Sequence, residues 1–232
     1  MGKAQKLKQQ RKEEEEKRRQ QERKDVWRKV IIVVASLVTI AVTVGLIFLV
    51  NYMKEEEEKK QSEPAITAEL VMETSKGEIV VGLYGEDTPL TVQHITDLVN
   101  QGFYDGLLWY RVEEFVVQTG SHYHSLVAES GEATPDEAKL QEALMADQGV
   151  GVVMDEIQFS NLRGTIGMAK PSDQTTGEPT PNSATTDFYI LKQDATGLDT
   201  YFTIFGKVIS GMEVVDVLEA TDVLITATIR EK

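Results

Sequence analysis

Arg111 stands in the segment LLWYRVEEFVVQTGS, residues 107 to 121, among Trp109, Tyr110, Val112, Phe115, Val116 and Val117. Those neighbours are strand-forming types. A guanidinium keeps its proton and is costly to bury without partners. Arg111 therefore either points to solvent from an ordinary strand or is held at a surface cleft. The rest of the inventory narrows the chemistry. The chain has no cysteine, so it offers no thiol nucleophile, no thiolate metal site and no disulfide. It contains no G-x-S-x-G, phosphate-binding glycine loop, H-E-x-x-H or calcium loop. Its histidines are His94, His122 and His124. His94 falls within an expected helix. His122 and His124, in SHYHS, would share one face of a strand, but two ligands without a third make no metal site. We expect neither metal nor cofactor.

What remains is one arginine beside aromatic and aliphatic side chains. Rotation about an X-Pro peptide bond needs little more. Its barrier, on the order of 20 kcal/mol, comes from amide resonance, and the uncatalysed process takes tens to hundreds of seconds. No bond breaks. A pocket for the proline ring and a donor that favours the twisted amide would suffice.

The elements that must position such a site begin near residue 66. AELVMET (68–74) and GEIVVGLY (77–84) flank Ser75-Lys76 and predict a hairpin. Thr88 and Pro89 predict the N-cap and first position of a helix, with Leu90, Ile95, Leu98 and Val99 on its apolar side and Gly102 at its end. The opening segment then follows as two strands. Residues 122–154 form an excursion in which Pro135, early acids and Leu140, Leu144 and Met145 predict one short amphipathic helix. GTIGMA, DFYILK and YFTIFGKVI are strands, residues 211–219 a second main helix, and VLITATIRE the last strand. Short strands without a βαβ rhythm predict an all-β barrel or sandwich with capping helices.

GEIVVGLYGEDTPLTVQHITDLVNQGFYDGLLWYRV, FVVQTG, GTIGMAK, PNSATTDFYI, LDTYFTIFGKV and SGMEVVDVLE occur in one order. In that order they resemble the cyclophilin family of peptidyl-prolyl cis-trans isomerases, over roughly 66–120 and 155–232, closest to its bacterial branch. The resemblance implies a closed eight-stranded antiparallel barrel capped by two helices. It implies Arg111 as the catalytic arginine, donating to the prolyl carbonyl and to the imide nitrogen as that nitrogen turns pyramidal. Phe115, Val116 and Leu198 match the proline pocket, Tyr189 and Phe202 its wall. Gln118 matches the glutamine that holds substrate and arginine. Ala169 and Lys170 match the stretch whose backbone pairs with an extended peptide. This chain departs from the family pattern at several places. RVEEF is one residue short, Val116 replaces a methionine, and Asp187 stands where glutamine is usual, a carboxylate able to pair with Arg111. Gly197 stands where many members carry tryptophan, which implies weak cyclosporin binding.

Outside that domain the chain is blocky. Residues 1–29 hold 12 Lys/Arg and 6 Asp/Glu, a basic charged tail. Residues 30–50, VIIVVASLVTIAVTVGLIFLV, carry no charge and match the roughly 20 residues that span a bilayer. Residues 51–65 read as a polar tether. The run is longer than a signal peptide's apolar region and lacks a small-residue cleavage site, so it predicts one uncleaved transmembrane helix in contact with lipid. Positive charge on its N-terminal side predicts a cytoplasmic N-terminus and an extracytoplasmic domain, residues 66–232. Residues 61–232 hold 9 Lys/Arg and 28 Asp/Glu, which speaks against a nucleic-acid partner. The expected function is isomerisation of proline-containing unfolded or extended chains during folding of exported proteins. The alternative is a cyclophilin-like peptide-binding or chaperone module with little turnover.

Overall fold

The computed structural model describes residues 64–131 and 134–231, with residues 41–50 and a few shorter stretches before them. Two compact units divide the chain, Met1–Glu63 and Pro64–Lys232. In the first unit residues 41–50 are helical. Among the described residues no helix is long and apolar enough to cross a membrane. Much of the expected anchor at 30–50, most of the tail and nearly all of the tether lie outside the described residues.

The second unit is built on one sheet of nine strands. These are β1 (Ala68–Thr74), β2 (Gly77–Leu83), β3 (Leu107–Leu108), β4 (Arg111–Val112), β5 (Val116–Thr119), β6 (Thr165–Met168), β7 (Phe188–Leu191), β8 (Ile204–Ser210) and β9 (Val223–Glu231). Helices α1 (Pro89–Asn100), α2 (His122–Ser130), α3 (Glu137–Gln148) and α4 (Met212–Val217) accompany it. The expected hairpin is β1–β2, with Thr74 opposite Gly77. Helix α1 starts at Pro89 with Thr88 at the N-cap position, as expected, but the Thr88 side chain makes no cap bond. The Thr88 hydroxyl donates to the Tyr84 carbonyl instead. Glu156 supplies the cap from far along the chain, accepting from the Leu90 and Thr91 amides at 3.1 and 2.9 Å. A carboxylate there also suits the positive end of the helix dipole.

Strand order is β3-β9-β1-β2-β8-β6-β7-β5-β4. The two ends of the sheet are thus β3 and β4, two-residue strands that follow one another in the chain. This corrects the expected closed ladder of eight strands: among the described residues there are nine, with a seam between the first and last. The reason is local. Trp109 and Tyr110 separate β3 from β4, and the Trp109 amide donates back to Asp222 beside β9. Side chains bridge the seam instead of a ladder. Thr119 Oγ1 donates to the Leu108 carbonyl at 2.8 Å. The Leu108 amide donates to Ser125 Oγ of α2 at 3.1 Å. An edge strand exposes unpaired amides and carbonyls, and these two bonds satisfy one of each.

Residues 122–130 form helix α2, where only a loop or strand was expected. Ser121 caps it, accepting from the His124 amide at 3.0 Å. Asp147 of α3 adds a second cap, accepting from Ser121 Oγ and the His122 and Tyr123 amides at 2.8 to 3.0 Å. The expected helix in the excursion is α3, capped by Asp136. Its apolar side stays shallow: Met145 is exposed and Leu140 and Leu144 are half-buried.

Side-chain alternation splits the apolar residues between two faces of the sheet. One face carries Leu70, Met72, Ile79, Val81, Val117, Ile166, Phe188 and Ile190, packed with Ile95, Leu98 and Val99 of α1 and Val215 of α4. The other carries a smaller cluster of Tyr84, Val116, Tyr189, Leu191 and Ile204. The second face holds the cavity described below.

The seam bond is testable. Thr119 is fully buried, and Thr119→Val keeps its shape while leaving the Leu108 carbonyl without that donor. Urea unfolding should show a loss of about 1–3 kcal/mol. An unchanged midpoint and slope would mean that the bond does not hold the seam.

Candidate functional site: a cavity on the outer face of the sheet

Strands β4 and β5 form a tight hairpin closed by the Glu113 amide donating to the Val116 carbonyl at 2.8 Å. Its register sets Arg111 opposite Gln118 and Val112 opposite Val117. Directly opposite residues share a face, so Arg111 and Gln118 meet. The row continues: Gln118 opposes Tyr189 of β7, and Tyr189 opposes Gly167 of β6. A Cβ on Gly167 would come within 2.5 Å of the Tyr189 phenol. Glycine there lets the phenol lie across the strand and donate to Asn161 Oδ1 at 2.5 Å. Gly120, just after β5, has φ +114°, and a Cβ would approach the Thr186 carbonyl to 2.4 Å.

A cavity of about 430 Å³ opens over this row. Nine of the ten expected site residues line it: Arg111, Phe115, Val116, Gln118, Ala169, Lys170, Tyr189, Leu198 and Phe202. Phe115 and Val116 come from the β4–β5 hairpin, Ala169 and Lys170 from the end of β6. Leu198 and Phe202 come from the loop after β7, whose short 3₁₀ turn spans Thr196–Leu198. The tenth, Asp187, is not in the lining. Sequence reasoning missed Tyr110, His124, Ser172 and Leu191, which are.

A directed hydrogen-bond chain runs from the lining to Asp187 behind it. Arg111 Nη1 donates to Gln118 Oε1 at 3.1 Å. Gln118 Nε2 donates to the Tyr110 hydroxyl at 2.6 Å. That hydroxyl donates to Asp187 Oδ1 at 2.6 Å. The guanidinium can only donate, so the amide of Gln118 has its oxygen toward it. Asp187 therefore binds Tyr110, not Arg111, and the expected Arg111–Asp187 pairing is corrected. The carboxylate on Arg111 is Glu113, which accepts from Nε at 2.7 Å. Glu113 lies two residues along, at the turn of the shortened hairpin. Arg111 also sits 6.0 Å over the Phe115 ring.

Burial raises the Asp187 carboxyl to about 6, although the Tyr110 hydrogen bond opposes the rise. Burial, with Asp187 beside it, pushes the Tyr110 phenol well above its ordinary range. The hydrogen bond from Arg111 holds Glu113 below the usual carboxylate range. Lys170 is almost fully buried, its Nζ 2.9 Å from Asp155 Oδ2 and 5.6 Å over the Phe202 ring. Phe202 meets Tyr189 edge-on at 5.7 Å.

His122 and His124 do not share a strand face. On α2 they diverge: His122 meets Phe103 edge-on at 4.5 Å, with Nδ1 3.1 Å from Asp147, while His124 stacks on Tyr110 at 4.7 Å.

The guanidinium has five N–H donors. One is taken by Glu113 and one by Gln118, which leaves three for a peptide in the cavity. A fixed cation beside an apolar pocket is what stabilisation of a twisted prolyl amide calls for. The model of the cyclophilin type peptidyl-prolyl cis-trans isomerase/CLD family matches residues 69–230, more than half of the chain.

This chain belongs to the cyclophilin-type peptidyl-prolyl cis-trans isomerases.

It is 34% identical over 153 residues to "Peptidyl-prolyl cis-trans isomerase A" of Dickeya dadantii, covering 63% of this chain and 68% of that protein. It is 35% identical over 154 residues to "Peptidyl-prolyl cis-trans isomerase CYP23" of Arabidopsis thaliana, covering 66% and 61%. The fold is similar to that of a Cryptosporidium parvum cyclophilin type isomerase crystallised in the presence of the dipeptide Ala-Pro. That likeness has a TM-score of 0.53 at 18% identity, over 71% of this chain and 99% of the other. The cyclophilin is an isomerase, and a reaction without bond cleavage accords with the few groups in its cavity.

Asp187 carries a pH prediction. Its folded value of about 6 exceeds the roughly 3.9 of a free aspartate. The folded state holds this proton more tightly, so the contribution is complete below about pH 4 and is lost as pH rises through 6. Between pH 4 and 7 Asp187 should withdraw up to roughly 3 kcal/mol of stability. Asp187→Asn should flatten that part of the profile in urea titrations at both pH values. Parallel profiles for the two proteins would overturn the assignment.

Proposed function

We propose that this isomerase is membrane-anchored and acts on X-Pro bonds of unfolded or extended chains outside the cytoplasm, assisting folding of exported proteins. The observation that carries the catalytic part is the aimed guanidinium. Gln118 and Glu113 orient Arg111 at the rim of an apolar cavity. Phe115, Val116 and Leu198 seat the proline ring, with Tyr189 and Phe202 as wall. The free N–H groups of Arg111 donate to the prolyl carbonyl and to the imide nitrogen lone pair. Donation to that lone pair opposes amide resonance, so it is stronger in the transition state than in the ground state. The backbone of Ala169 and Lys170 pairs with the extended chain.

The anchor rests on the uncharged run 30–50 and its basic N-terminal flank. Residues 41–50 support it: they are helical, with Val42, Leu46, Ile47, Phe48 and Leu49 all exposed. Weak cyclosporin binding belongs to the same reading. Nothing lies within 4 Å of a Cβ placed on Gly197, so the wall there is open.

The Arg111–Glu113 pair favours a second reading, a peptide-binding module with little turnover, because it occupies one arginine donor. Both partners are close to half exposed, and such pairs are weak, so the isomerase reading is preferred.

Exchange NMR on a short X-Pro peptide separates the two. The wild-type protein should accelerate exchange, and Arg111→Ala should lose about tenfold or more while remaining folded, about 1.4 kcal/mol of barrier per tenfold. Glu113→Ala should change the rate by less than about fivefold. Peptide shifts without accelerated exchange would leave a binding module. The anchor is tested by alkaline extraction of membranes and by protease added from outside. Release from the membrane, or protection of the domain, would overturn it.

A further inference from the structure

The inserted hairpin of α2 and α3 reaches the cavity, and the reaction as described does not use it. His124 is the residue that arrives there. Its ring lies nearly parallel to Tyr110, with centroids 4.7 Å apart and an interplanar angle of 26°. Tyr123 meets the same imidazole edge-on at 5.4 Å.

We propose that His124 is a positioning residue of the isomerase site, acting through Tyr110 on Gln118 and Arg111. The proposal rests on the isomerase reading above. Tyr110 lies in the seam between β3 and β4, where no strand ladder holds it. Its hydroxyl is pinned by Gln118 and Asp187. The backbone holds one end of this side chain and the two bonds hold its oxygen, which leaves the ring its rotation about the axis between them. A stacked imidazole on its face removes that freedom. The orientation of Gln118 depends on the same phenol. With Tyr110 in place, the amide NH₂ has an acceptor and the amide oxygen faces Arg111. With Tyr110 displaced, the amide can flip and turn donors toward a guanidinium that has only donors.

The helix that presents His124 is anchored independently of the cavity. Asp147 of α3 binds Ser121, His122 and Tyr123 at its first turn. Ser125 binds the Leu108 amide, and His122 packs against Phe103. A continuous set of contacts therefore runs from Asp147 to the reacting arginine.

The test uses the full-length protein and four variants: His124→Ala, His124→Phe, Tyr110→Phe, and the Ala–Phe double variant. Exchange NMR at saturating X-Pro peptide reports kcat, and thermal melts report folding. His124→Ala should lower kcat three- to tenfold with KM within twofold, and His124→Phe, which keeps the stack, should recover most of it. In the Tyr110→Phe background, where the hydroxyl link is gone, His124→Ala should cost less than a further twofold. The proposal is overturned if His124→Ala stays within twofold of wild type, if Phe is no better than Ala, or if the two losses multiply in full. A readout that does not need turnover keeps it separate from the isomerase reading. The Gln118 side-chain NH₂ resonance should move in His124→Ala and return in His124→Phe. If the wild type fails to accelerate exchange, the isomerase reading falls, and an unmoved Gln118 resonance would then overturn the positioning role by itself.

Discussion

The register of one short hairpin governs the site. Strands β4 and β5 pair over two residues each, and Arg111 meets Gln118 only because the turn at 113–116 sets them opposite. A slip of one residue would send Arg111 to the other face, among Val117, Ile190 and Phe188, where its charge would lack partners. The register is held from both sides. Val117 and Thr119 are buried on the inner face, while Gln118 is tied outward to Arg111 and Tyr110. The apolar packing that stabilises the sheet and the polar chain that aims the arginine thus select the same alignment.

The polar chain is arranged to be unambiguous. A carboxylate accepts only, a phenol does both, an amide has one end for each role, and a guanidinium donates only. Placed in the order Asp187, Tyr110, Gln118, Arg111, these groups admit one pattern. An aspartate at 187 is the terminal acceptor that sets the direction. Its burial raises its carboxyl to about 6, against the Tyr110 hydrogen bond. The second carboxylate, Glu113, costs little because it stays near solvent.

Much of the fold was legible in local pattern. The β1–β2 hairpin, the long strand β9 and helices α1 and α4 follow from alternation, proline and glycine signals within a few residues. The cavity residues were legible too, since the types at 111, 115, 116, 118, 169, 170, 189, 198 and 202 carry a family's spacing, and the structure brings them to one cavity. What local pattern did not show came from distant partners. Glu156 caps α1 in place of the adjacent Thr88. Asp147 stabilises α2, a segment with a weak apolar stripe that reads as loop by itself. Asp187 binds Tyr110 and Glu113 binds Arg111, partners that position along the chain does not specify. The seam escaped notice because strands of two residues leave almost no periodic trace.

Helix α2 does two jobs from adjacent positions. Ser125 reaches the open edge of the sheet while His124 reaches the cavity. Neighbouring residues on a helix differ by about 100° in direction, so both contacts hold only at one rotational phase of the helix. The hairpin is in this sense a keyed part. Inserting or removing a residue at its entry would release the edge and the cavity wall together, so the length of that joint is constrained by two contacts at once.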